Sequence, residues 1–121
     1  MIRLNWFFIF CFLTSPAWAT PPTEIKLLYD SSKQLLHVEA QHPSSRLERH
    51  FLHKLVITQN STEVQTLYFT RQTQPWGMST DIALPAKGGD QVNVHIWCIQ
   101  GGEGSADIVI PAAQKETKKT Q

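Results

Sequence analysis

The sequence is short of cysteine, of charge and of helical periodicity, and each shortage closes off a class of protein. It has two cysteines, Cys11 and Cys98, and Cys11 sits in an N-terminal apolar segment that reads as removable. Cys98 is then alone, so no intramolecular disulfide can form. Charged residues make up 17% of the chain, and none of them build a basic stripe. Removing Arg3 brings the basic residues to ten, equal to the ten acidic ones, so the remaining chain is formally neutral. A neutral chain has no electrostatic footprint for nucleic acid. The one dense charge cluster, Lys115-Glu116-Thr117-Lys118-Lys119, reads as a solvated terminus. No internal repeat, Ser-His-Asp arrangement or paired-carboxylate cleft is visible. Gly101-Gly102-Glu103-Gly104 lacks the strand-to-helix context of a phosphate cradle.

The N-terminus carries an address. Arg3 supplies a positive start, Trp6 to Leu13 is almost wholly apolar, and Ala17-Trp18-Ala19 reads as a small-residue cleavage site. That is the pattern of a secretory signal peptide. The apolar run is far shorter than the roughly 20 residues that span a bilayer. Phe10 is too bulky to precede a lipid-modified Cys11. The expectation is a mature chain that begins at Thr20, works in the periplasm or is secreted, and does not use a membrane. About a hundred residues remain, enough for one core.

The rest reads as short strands separated by turns. Expected strands are Glu24–Tyr29, Gln34–Ala40, Phe51–Gln59, Glu63–Thr70, Thr80–Leu84, Gln91–Cys98 and Ala106–Ile110. Two of them alternate clearly. Leu36, Val38 and Ala40 share one face, and so do Val92, Val94, Ile96 and Cys98. Asn60-Ser61 marks a hairpin turn and only secondarily, with Thr62, a glycosylation sequon. Seven strands with turn signals about every ten residues predict an all-β, seven-stranded immunoglobulin-like antiparallel sandwich. The organisation is then signal peptide 1–19, domain 20–112 and a disordered polar tail 113–121.

Chemistry rests on His37, His42, His50, His53, His95 and Cys98. Imidazole and thiolate bind iron, copper or zinc well. His42 and His50 bracket one loop, and Cys98 closes a strand before a glycine-rich segment. Strand-end loops of a sandwich cluster in space, so these three are the candidate metal ligands. No pair has a diagnostic zinc spacing, and the bland reading is a buried core cysteine with surface histidines. Alternation sends His95 and His37 away from the core face, while His53 lies in a stretch that is apolar on both sides. Trp97 is expected to pack between sheet and loop, and Arg71 and Lys54 to be solvated.

The order of these residues resembles the iron-binding domain of the desulfoferrodoxin and superoxide reductase family. His42-Pro43, His50-Phe51-Leu52 at a strand start, an Asn60 turn, and Cys98 followed by Gly101-Gly102 carry the resemblance, over roughly Ile25 to Ile110. It implies an immunoglobulin-like sandwich. It also implies a ferrous iron held by four histidine nitrogens and an axial cysteine sulfur, which passes one electron to superoxide. Residue by residue, His42, His50 and Cys98 match ligands. Gly101 stands where the family has a histidine, and no histidine lies between Thr20 and Leu36. The expected site is therefore a reduced one, holding iron or, failing that, another transition metal or none, and its use is metal binding or redox chemistry. The rival expectation is a non-catalytic periplasmic binding module on the same scaffold, either similar to thiosulfate-oxidation carrier subunits or recruiting a redox or protein partner through loops or an edge strand. A third, a redox-reactive Cys98 thiol, has no basic neighbour in sequence to support it.

Overall fold

A computed structural model describes residues 20–112. The expected signal peptide and polar tail lie outside the described residues. Seven strands follow in order: β1 (Glu24–Asp30), β2 (Leu35–Gln41), β3 (Leu52–Gln59), β4 (Thr62–Tyr68), β5 (Gly77–Ala83), β6 (Gln91–Cys98) and β7 (Glu103–Val109). The described residues contain no helix, and so none long and apolar enough to cross a membrane. The strands form two antiparallel sheets, one ordered β1-β2-β5 and the other β4-β3-β6-β7.

The period-two alternation read from the sequence sets which face each strand buries. Leu36, Val38 and Ala40 of β2 point into the core together with Met78 and Ile82 of β5. Leu55 and Ile57 of β3 meet them with Val92, Val94, Ile96 and Cys98 of β6. One apolar layer thus lies between the two sheets, and removing these side chains from water is the main favourable term in folding. Tyr29 covers one margin and donates its hydroxyl to the Leu84 carbonyl at 2.7 Å.

The β3–β4 connection is a two-residue hairpin. Asn60 (φ 51°) and Ser61 (φ 67°) both take the left-handed conformation, and Gln59 pairs with Thr62. Two positive φ values in succession define the turn whose twist matches that of its strands. Two strand starts differ from expectation by three residues, the others by one at most. β5 begins at Gly77, because Gln41 and Ala40 continue their ladder onto Gly77 and Met78 past the polar loop. β7 begins at Glu103, which pairs with Trp97, so the glycine-rich connection is a short turn. Backbone pairing overrode the local turn signals in both cases.

One irregularity matters for the site. Leu52 pairs with Cys98 but Lys54 with Trp97, so His53 is an extra residue in β3. A bulge bends its strand and re-aims the residues beside it. Here Phe51 and Leu52 are both buried, and His50 lies just before them next to the end of β6.

Candidate metal centre

His42, His50 and Cys98 come together at one end of the sheets. Each offers one ligand atom, and these atoms all lie within 4.8 Å of one another. It is the one such grouping of three among the described residues. Two segments deliver it: the β2–β3 connection, which carries His42 and His50 near its two ends, and the end of β6, which carries Cys98. His42 follows the last residue of β2, with its backbone N–H donated to the Trp76 carbonyl at 2.8 Å. His50 ends a tight turn in which its N–H is donated to the Arg46 carbonyl at 2.7 Å, and Ser44 Oγ is donated to the His50 carbonyl at 2.6 Å. Cys98 closes β6, with its N–H donated to the Gly102 carbonyl at 2.7 Å. His42 and Cys98 are 1% and 2% exposed, and the two imidazoles meet edge to face with centroids 4.7 Å apart.

Gln72 fixes the state of the His42 ring. Its side-chain nitrogen donates to two backbone carbonyls, those of His42 and Gln74, each at 2.8 Å. Carbonyls only accept, so this nitrogen is the amide NH2 and the remaining atom is the amide oxygen. That oxygen lies 2.8 Å from His42 Nδ1. Nδ1 must therefore carry the hydrogen, and in the neutral ring Nε2 keeps its lone pair. Outer partners that hold a histidine this way are typical of metal ligands.

Thr20 occupies the middle of the group. Its carbonyl oxygen is 3.1 Å from His42 Nε2, its hydroxyl contacts His50 Nε2, and that hydroxyl is 3.5 Å from Cys98 Sγ. With hydrogen on Nδ1, the Nε2 lone pair and the Thr20 carbonyl are two acceptors facing each other. Such a buried pair is satisfied by a cation between them, either a proton or a metal ion. Burial, and secondarily the neighbouring His42, holds the His50 pKa below the usual histidine range. Both effects favour the neutral ring, which has a lone pair to give.

The donor set fits a transition metal better than magnesium or calcium, because two imidazoles and a thiol are nitrogen and sulfur ligands. Bonds of about 2.1 Å to nitrogen and 2.3 Å to sulfur put ligand atoms at most about 4.4 Å apart. That limit needs the two bonds in line; at the tetrahedral angle of a closed site the ligand atoms sit about 3.5 Å apart, so the group must contract by roughly 1 Å at its widest to close on an ion. Three protein ligands leave at least one position open.

The other histidines lie elsewhere. His37 pairs with Asp81 at 2.6 Å on an exposed face. His95 stacks on Trp97 with centroids 4.1 Å apart, and Lys54 lies over the same indole at 5.0 Å. His95 Nε2 is 3.5 Å from a Glu103 carboxylate oxygen without a hydrogen bond, and His53 Nδ1 is likewise buried without a partner. Alternation sends His37 and His95 outward, as expected, and the bulge does not bring His53 into the group. Trp97 packs on the outer face of its sheet. At Gly101 the backbone has φ +115°, a conformation side chains rarely adopt. A histidine there would strain this turn.

Sequence reasoning missed Gln72 and Thr20. Gln72 is a single amide in a polar loop with no spacing to betray it. The one signal at Thr20 is its position directly after Ala17-Trp18-Ala19, a pattern that carries no metal-ligand chemistry. Set against known proteins, the chain matches no family model and no curated protein.

Proposed function

We propose that this is an exported, immunoglobulin-like β-sandwich that binds a transition metal through His42, His50 and Cys98. The observation that carries the reading is the convergence of these three ligand atoms within 4.8 Å of one another. The lone pair that Gln72 forces onto His42 Nε2 adds to it. The likeness to the desulfoferrodoxin and superoxide reductase family makes iron the first candidate, with copper or zinc as the other ions this donor set accepts. Bound iron supplies a one-electron couple, and zinc supplies only Lewis acidity.

The chain's own residues would do the positioning. Gln72 orients His42, the Ser44 hydroxyl fixes the His50 turn, and the Cys98–Gly102 bond holds the thiol at the end of β6. Thr20 would withdraw its hydroxyl from between His50 and Cys98 as the ion enters. Metal analysis of protein purified without a histidine tag tests the reading. Near-stoichiometric metal that disappears in Cys98→Ser is the expected result.

The second reading is a metal-free interaction module on the same scaffold. Its support is the Thr20 hydroxyl, which bridges His50 and Cys98. Metal-free wild-type protein that captures a stable partner and takes up no added metal would favour it.

A further inference from the structure

The strongest unexplained feature is that, among the described residues, Thr20 places polar atoms within hydrogen-bonding reach of all three members of the group. Its carbonyl oxygen lies on His42, and its hydroxyl lies on His50 and Cys98. The Thr20 nitrogen hangs from the same Cα that carries both oxygen-bearing branches. Its segment is also held in place. A Cβ at Gly102 would come within 2.3 Å of Pro21 N and 2.6 Å of Thr20 C, so only glycine lets the chain lie this close to the end of β6. Pro22 is buried against Gly104 immediately after.

We propose that removal of residues 1–19 turns the Thr20 nitrogen into a fourth metal donor beside His42, His50 and Cys98. The site then becomes complete only after processing. This rests on the metal-binding reading above and on Ala17-Trp18-Ala19 being the cleavage motif. Hydrolysis of the Ala19–Thr20 amide by a signal-type peptidase consumes one water, leaving a carboxylate on Ala19 and an amine on Thr20. Before cleavage the nitrogen lone pair is delocalised into the peptide bond and does not serve as a donor. After cleavage it is an ordinary amine, and a metal ion takes it with release of a proton.

The local chemistry favours this. The Thr20 carbonyl and hydroxyl are both already turned towards the histidines and the thiol. Two imidazoles, a thiolate and an amine make a four-donor nitrogen and sulfur shell, the number a closed tetrahedral site takes.

The test compares exported, processed protein with the same domain carrying Gly-Ser ahead of Thr20, which replaces the amine by an amide and keeps every side chain. Intact mass first establishes that the processed chain begins at Thr20. Cobalt(II) is the probe, and its affinity and thiolate-to-cobalt absorption are measured for both proteins and for Cys98→Ser. The expected result is a loss of at least about tenfold in affinity on extension, with the thiolate absorption kept. Equal affinity in both proteins, or processing at another bond, overturns the amine ligand while leaving the three-residue site standing. No binding by either protein, or unchanged binding in Cys98→Ser, overturns the site itself.

Discussion

The two ends of the four-stranded sheet carry polar groups of opposite character. At the hairpin end, the Asp90 carboxylate accepts the Lys87 N–H at 2.9 Å, the Asn60 amide at 3.0 Å and the Gln59 amide at 2.9 Å. Asn60 in turn accepts the Gln91 N–H at 2.9 Å. Donors and acceptors match, and the Lys87 bond first, then those from Asn60 and Gln59, hold the Asp90 pKa below the usual carboxylate range. At the opposite end Gln72 spends its donors on backbone, and the lone pairs of His42 and Thr20 face each other. A matched network stabilises a fold by itself, whereas converging acceptors need a cation. The comparison separates a structural cluster from a site by counting hydrogens.

The sharpest way to break the contrast is Cys98→Ser. It should lower cobalt or iron affinity by more than the roughly 10–100-fold that outer partners typically cost. With metal at a hundred times its Kd, wild-type protein should gain about 2.7 kcal/mol in urea unfolding, and the variant should gain essentially nothing. An equal gain in both would make the two ends alike. Next comes Gln72→Leu, which leaves the His42 Nδ1–H and the His42 carbonyl without their partner, while the Gln74 carbonyl keeps the Gly77 N–H at 3.2 Å. Each buried unsatisfied group costs about 1–3 kcal/mol. Metal affinity should also fall by about 10–100-fold as the ring loses its orientation, read by titration of the folded variant.

At the other end, Asp90→Asn should destabilise without changing metal affinity at all. The sign follows from the lowered pKa. The native state favours the ionised carboxylate, so its stabilisation is complete above the ordinary aspartate value of 3.8 and is lost as pH falls through the lower folded value. Urea midpoints of wild type and variant should differ by a constant amount between pH 7 and about pH 5 and converge below that. A difference that persists at the lowest pH would mean that packing, not the charge, is responsible. The smallest effect is expected at the hairpin itself. Ser61 adopts φ 67°, and Ser61→Gly removes that cost at some loss of chain entropy. A net gain of about 0.5–1 kcal/mol should appear in thermal or urea unfolding.

Much of this was readable from local pattern. The alternation in Leu35–Gln41 and Gln91–Cys98 foretold which side chains are buried, and Asn60-Ser61 foretold the turn. The bulge at His53 was not readable, because a stretch that is apolar on both sides gives no alternation to break. His42, His50 and Cys98 stood out by residue type, yet the Gln72 amide that holds His42 did not. Glutamine is common in polar loops, and only its two carbonyl partners make it specific.

The sequence by itself determined the strands, their inward faces and the candidate donor atoms, because these depend on periods of two residues and on residue chemistry. Only the tertiary structure decided that His42, His50, Cys98, Gln72 and Thr20 meet. The pairing of β3 with β6, the stacking of two sheets and the close approach of Thr20–Pro21 to Gly102 bring together positions far apart along the chain. No local signal encodes such a meeting, since it exists only once the core has closed.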